Sequence, residues 1–339
     1  MSIPKEYSEL KLSELPHVVI LGAGSSCAAN PNGDKNNKKL PMMNQIPDVI
    51  RLSDILSDEE IESAKDNFEL FFDELVQSKK TEITEEIESR LYNYFDSLEL
   101  SDELTLYDRL IFSLRRKDLI ATFNWDPLLS YSYRRNSSLK TLPHLVFLHG
   151  NVLQGVCNED KILGWKDDVC NICKKSFSPT KLLYPVSNKI YDIDDVINEQ
   201  WKILEDYISN AYYITIFGYS APFTDINARE RIINHIKENK RKRFLQLEII
   251  DINAESLVAS NLKDIIVDTH YSLLNSFDKS WLVLHPRFTC EALFEATMQL
   301  KPLTPIPFPD GSLQEYQSWV YELNEAFSGF EKEGNEKQG

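Results

Sequence analysis

The chain has 339 residues, 42% of them hydrophobic, and a formal net charge of −16. That is enough apolar chain for one large domain or two ordinary ones. A far field so negative repels phosphate, which argues against general binding to nucleic acid or anionic lipid.

The opening segment, MSIPKEYSEL, has no basic n-region and no apolar h-region, so no secretory signal is expected. No run approaches the roughly 18 apolar residues of a membrane span, and a cytoplasmic protein is expected. The five cysteines, Cys27, Cys157, Cys170, Cys173 and Cys290, are odd in number and lack the spacing of a disulfide scaffold. Reduced thiols are the expectation.

In chain order, the first apolar run is 17–21. Residues 48–118 then read as an amphipathic helical insertion. Ser57 and Glu60 have capping-box spacing. Phe68, Phe71, Phe72 and Leu75 form one stripe, and Ile83, Ile87, Leu91, Phe95 and Leu98 continue at mostly four-residue steps. Further short apolar runs follow at 119–123, 145–148, 212–217, 245–250 and 265–267. Continuous apolar runs of this length suit strands buried on both faces, as in a parallel sheet. Residues 150–190 form a long connection. Helical patterns fill 198–211 and 224–237, the latter with Thr224 as a cap. The basic run 237–243 reads as the solvated end of that helix. Two more helices are expected at 288–300 and 313–327, with a polar tail after Ser328. Strands alternating with helices indicate an α/β fold with a doubly wound, Rossmann-like parallel sheet. The expected division is 1–285 for the main domain, 286–328 for a C-terminal helical segment and 329–339 for a disordered tail.

In an open parallel sheet, ligands bind beyond the carboxyl ends of the strands. Five runs end in polar loops there: Gly22-Ala23-Gly24-Ser25-Ser26, Asn124-Trp125-Asp126, His149-Gly150-Asn151, Gly218-Tyr219-Ser220 and Asp251-Ile252-Asn253. The first suits a pyrophosphate, since its glycines allow close backbone approach and its serines add donors. Cys27 stands where a dinucleotide fingerprint wants its third glycine. No acidic strand end follows about 20 residues on, as an ordinary dehydrogenase would have. His149 could act as a general base.

Taken together, these motifs resemble the sirtuin-like superfamily. The order of glycine loop, Thr122-Phe123-Asn124-Trp125-Asp126, His149-Gly150, Gly218-Tyr219-Ser220 and Asp251-Ile252-Asn253 matches throughout roughly 17–270. The stretch from Gly218 to Asp225, GYSAPFTD, and the helical insertion resemble bacterial sirtuin-like proteins of anti-phage defence, which hydrolyse NAD⁺ and cause abortive infection.

The resemblance implies NAD⁺ as substrate and cleavage to nicotinamide and ADP-ribose. Asn124, Asp126 and His149 would be catalytic. Gly22, Ala23, Gly24, Ser25, Ser26, Gly218, Ser220 and Asn253 would bind the dinucleotide. It also implies a homo-oligomer, and an ATPase or sensor protein as partner. Sirtuin deacylases carry two C-x-x-C pairs that hold a structural zinc. Here only Cys170 and Cys173 form such a pair. With Cys157 as a third thiol and no fourth nearby, zinc is not expected. Leu182-Leu183-Tyr184-Pro185 also replaces the usual peptide-binding strand. A protein deacylase, a non-catalytic module binding NAD⁺ or ADP-ribose, and a dehydrogenase remain as alternatives.

Overall fold

The computed structural model describes residues 12–184, 194–222, 225–266 and 269–332, with side chains to 324. The expected cap Thr224, the end of the 265–267 run, Pro185 and residues 333–339 lie outside the described residues. Among the described residues, no helix is long and apolar enough to cross a membrane.

Six parallel strands form the main sheet. They are β1 (His17–Leu21), β2 (Leu119–Thr122), β3 (His144–Phe147), β7 (Tyr213–Phe217), β8 (Gln246–Ile250) and β9 (His270–Leu274), in spatial order β3-β2-β1-β7-β8-β9. Counting only these strands, that is the 3-2-1-4-5-6 order of the Rossmann fold. Their carboxyl ends lie in one row, because Phe147 pairs Thr122, Thr122 pairs Leu21, Leu21 pairs Phe217, Phe217 pairs Ile250 and Ile250 pairs Leu274. The next one or two residues of every strand therefore emerge on the same edge.

Alternation along β1 divides the core. Val19 and Leu21 face one cluster, and Val18 and Ile20 face the other. The first cluster is covered by the insertion, whose helices include α2 (Asp58–Asp66), α3 (Phe68–Gln77), α4 (Thr81–Asp96) and α5 (Leu106–Ser113). Ser57 and Glu60 form the expected capping box. Phe68, Phe71, Phe72, Leu75, Ile87, Leu91, Phe95 and Leu98 are buried against β1 and β2, so the stripe is core. The second cluster is covered by α7 (Asp195–Asn210) and α8 (Ile226–Lys237), through Trp201, Leu204, Ile208, Ile232 and Ile236.

One expected strand is wrong. Residues 263–266 form a helical turn, Lys263–Ile266, and Ile265 is buried in the second cluster. The sixth strand is β9, whose His270, Tyr271 and Ser272 are exposed at the sheet edge. Within the 150–190 connection, β4 (Gln154–Val156), β5 (Leu163–Trp165) and β6 (Ser178–Pro179) form a small antiparallel sheet. At the chain's end, the helix Leu313–Lys332 runs beyond the expected boundary at 328. Tyr316 and Val320 pack on Phe112 and Leu139, so this segment is joined to the insertion.

At the opposite edge from the loops, His17 pins the first strand. Its Nδ1 lies 2.9 Å from Thr289 Oγ1 and its Nε2 lies 2.8 Å from Thr215 Oγ1, and its N–H donates to Asp118 at 2.8 Å. Burial pushes the imidazole down to about 3, so the ring is held neutral in the fold. The unfolded chain titrates near 6.5, so between about 6.5 and 3 it binds a proton that the native state refuses. Stability from His17 is present above that window and falls through it, by up to about 1.4 kcal/mol per pH unit. Urea unfolding at pH 7.5, 6 and 5 checks this. The wild type should lose stability with acidification more steeply than His17→Gln, and parallel profiles would contradict the assignment.

Candidate active site

The five loops line one cleft of about 1050 Å³ above the carboxyl edge of the sheet. Gly22, Ala23, Gly24, Ser26, Asn124, Asp126, His149, Gly218, Ser220 and Asn253 all contribute to its wall. The first turn of α1 (Ala23–Ala29) forms part of it, and Met42, ahead of the insertion, lies on the far side with Asn67 and Phe95 from the insertion.

Backbone packing explains the glycines. A Cβ on Gly22 would sit 2.6 Å from Gly218 O, and one on Gly24 would sit 2.9 Å from Gly218 Cα. Gly218 itself has φ +61°, a left-handed conformation that glycine adopts without steric cost. The Gly24 N–H donates to Gly218 O at 3.0 Å. The close approach expected toward a pyrophosphate is thus first of all an approach of two strand-end loops to each other.

Below this contact lies a polar hub. Ser26 Oγ donates to Asp126 Oδ2 at 2.7 Å and lies 2.6 Å from the Tyr107 hydroxyl. Asn124 Nδ2 donates to Gly22 O and Ser26 Oγ, both at 2.9 Å. Asn151 Nδ2 donates to Asp126 O at 2.6 Å, tying the second loop to the third. Burial, the largest cause, raises the Asp126 carboxyl above its ordinary range, while the Ser26 hydroxyl works the other way. Burial, followed by the nearby Asp126 charge, also raises the Tyr107 phenol.

Ser25 requires a correction. It is fully buried, and its hydroxyl turns under the loop to donate to Gly22 O at 2.7 Å and meet Tyr107 OH at 3.1 Å. Its N–H is taken by Gly22 O at 2.9 Å. The helical phase of α1 sends Ser25 inward, so it shapes the loop and is not part of the cleft wall. At the other end, Ser220 and Asn253 are exposed on the rim. Asn253 donates its N–H to Asp251 Oδ1 at 2.8 Å.

His149 stands edge-on to Phe123, with ring centroids 4.8 Å apart, and Phe123 stacks on Tyr219 at 4.3 Å. Its Nε2 lies 3.1 Å from Asp225 Oδ2. Sequence reasoning gave no role to Asp225 or Tyr107. Asp225 closes the GYSAPFTD stretch, which was the one available signal. Tyr107 sits in the insertion with no local cue.

The thiols lie away from the cleft, on the small sheet. Cys157, Cys170 and Cys173 are joined by Asp160, and one donor atom from each lies within 4.8 Å of the others. Cys157 Sγ is 3.4 Å from Cys173 Sγ, and Cys170 Sγ is 3.1 Å from Asp160 Oδ2. Zinc–sulfur bonds of about 2.3 Å in a tetrahedron need donors at roughly such separations. Three thiols and one carboxylate are a donor set that could hold zinc, with the Asp160 oxygen in the place of a fourth thiol.

No protein-family model matches the chain, and no curated protein matches it. Among solved structures, it is similar to Sir2 in complex with the inhibitor EX-527, 2′-O-acetyl-ADP-ribose and a deacetylated p53 peptide. The identity is 15% over 80% of this chain and 93% of that one, with a TM-score of 0.40. A Sir2 homolog–NAD complex is 14% identical over 80% and 89% of the two chains, with a TM-score of 0.36. A Sir2–p53 peptide–NAD⁺ complex is 15% identical over 81% and 93%, with a TM-score of 0.38. The doubly wound architecture stands on the strand order of this chain itself.

Elemental analysis tests the thiol cluster. The purified chain should carry about one zinc, and Cys170→Ser should lose it together with several degrees of thermal stability. Metal-free protein with an unchanged melting temperature after Cys170→Ser would contradict the assignment.

Proposed function

We propose that this chain hydrolyses NAD⁺ at the nicotinamide–ribose bond, giving nicotinamide and ADP-ribose. The carrying observation is the convergence of all five strand-end loops on one cleft, with Asn124, Asp126 and His149 in its wall. A cleft beyond the carboxyl ends of a Rossmann-ordered sheet is where a dinucleotide is expected.

The charge of the wall supports this reading. Among the described lining residues there are six carboxylates, Asp66, Glu69, Asp126, Asp225, Asp251 and Asp278, and no lysine or arginine. A ligand with many phosphates would meet repulsion without a counter-charge. NAD⁺ carries two phosphate charges and a pyridinium cation. As its glycosidic bond breaks, the positive charge moves from the ring to the ribose, and nearby carboxylates favour that state.

The roles follow from placement. The glycine loop, with Gly22, Ala23 and Gly24, would meet the pyrophosphate. Ser220 and Asn253, on the rim, would meet the adenosine side. Asn124 spends its amide protons on Gly22 and Ser26, so its carboxamide oxygen is the group left to orient a ribose hydroxyl or a water. His149 would accept the proton that the attacking water releases. Asp126 holds Ser26 and would reach the nicotinamide amide from the cleft floor. Ser26 serves as the bridge between the two loops. Unrestrained turnover would drain a cell of its cofactor, so we place control in self-assembly or in a partner such as an ATPase or sensor of a defence system.

Chromatography of the products tests the reaction. Wild type incubated with NAD⁺ should yield nicotinamide and ADP-ribose, and Asn124→Ala and His149→Ala should each lose about 10²–10⁴-fold in rate. Undiminished turnover in both variants, or consumption that requires an acylated peptide, would contradict the reading. NADP⁺ adds a phosphate to a wall whose described residues include no lysine or arginine, so its kcat/KM should be at least about tenfold lower, a difference of roughly 1.4 kcal/mol. Asp251→Asn should narrow that gap, and equal use of both dinucleotides by the wild type would count against the charge argument.

A further inference from the structure

The contact between His149 and Asp225 carries more than an ion pair. Asp225 is buried at 3% exposure, and its Oδ2 lies 3.1 Å from His149 Nε2. Its other oxygen is fixed separately. Oδ1 accepts from the Ala228 N–H at 3.3 Å as the N-cap of α8, and the Arg229 N–H donates to the Asp225 carbonyl at 3.2 Å. The carboxylate is therefore anchored to a twelve-residue helix while it faces the imidazole.

An aromatic side chain holds the imidazole on a second side. Phe123 meets it edge-on, and Phe123 is itself held flat against Tyr219 and near Trp201. The indole of Trp201 donates to Leu148 O at 3.1 Å, next to His149 in the chain. Residues 218–222, ahead of Asp225, bend sharply, with Gly218 at φ +61° and the buried Ala221 at φ +45°. A left-handed alanine is costly, and Ala221 holds this conformation while fully buried.

We propose that Asp225 is the positioning residue for His149. Its carboxylate accepts the Nε2 proton of the neutral ring, which fixes the tautomer and leaves Nδ1 as the basic nitrogen. A neutral imidazole carries one ring proton, and the partner of one nitrogen decides which nitrogen is left basic. The cap alone does not require this residue, because serine or asparagine caps a helix about as well. The loop from β7 thus serves the site twice, through Gly218 in the wall and through Asp225 beside the base. The catalytic consequence rests on the NAD⁺-hydrolase reading, and the tautomer does not.

The test uses the full chain and two independent readouts. In nitrogen-15 histidine spectra taken across a pH titration, the neutral form of the His149 ring, identified by its loss in His149→Gln, should show one tautomer with the proton on Nε2. In Asp225→Ser it should average between tautomers. In kinetics with NAD⁺, Asp225→Ser and Asp225→Asn should lose on the order of 10²-fold in kcat, with KM within about threefold and an unchanged melting temperature. A His149 spectrum that is the same in Asp225→Ser as in wild type would overturn the proposal. So would full kcat in both Asp225 variants while His149→Ala is inactive. If His149→Ala and Asn124→Ala both turn over normally, the hydrolase reading falls, and the spectrum alone still decides whether Asp225 sets the ring.

Discussion

Everything at the carboxyl edge depends on how closely the ends of β1 and β7 approach. Gly24 donates to Gly218 O, and no Cβ fits on Gly22, Gly24 or Gly218 without moving backbone. Adjacent parallel strands hold this spacing along their ladder. Here it persists past the last paired residues, so the glycine loop lies over the neighbouring loop. That overlap sets the cleft floor and fixes where α1 begins.

The same contact explains the hub beneath it. With the first loop pulled over β7, Ser26 faces Asp126, and Asn124 reaches both Gly22 and Ser26. Buried polar groups of this kind must be satisfied, and Tyr107 from the insertion completes the set. The insertion is thus joined to the floor of the site through Tyr107, while its Asn67 and Phe95 line the opposite wall. Movement of the insertion would be felt by the residues proposed to do the chemistry. The carboxylate-rich wall has a matching consequence, since its described residues include no lysine or arginine and any phosphate bound there would have to be held by N–H and hydroxyl donors.

Much of the fold was legible in the sequence because strands buried on both faces read as continuous apolar runs. The exception is instructive. The sequence HYSLL of β9 is half polar because its strand lies at the edge, while Ile265 is apolar because a helical turn buries it. Short apolar runs do not distinguish these cases. The site was legible as a set of strand ends, because the rule about carboxyl edges needs only strand order. The direction of each side chain was not. Ser25 and Ser26 are neighbours, and only the phase of α1 decides which faces the cleft. Tyr107 reaches the site through tertiary packing, from a segment with no chemical signature of its own, and Asp225 ends the GYSAPFTD stretch, which gives no clue that its carboxylate would meet His149. The place of Asp160 beside the three thiols was not legible either, because it is set by the folding of the small sheet and not by cysteine spacing.

Calorimetric titration of NAD⁺ into His149→Ala protein, with and without Ala23→Phe, tests the central claim most directly. Ala23 is exposed on the glycine loop and lines the cleft, so a phenyl ring there fills the proposed pyrophosphate position and spares the core. The account predicts one binding site per chain in His149→Ala and its loss when Ala23→Phe is added, at an unchanged melting temperature. Undiminished NAD⁺ binding in the double variant would contradict it, because the dinucleotide would then lie outside the cleft formed by the strand ends.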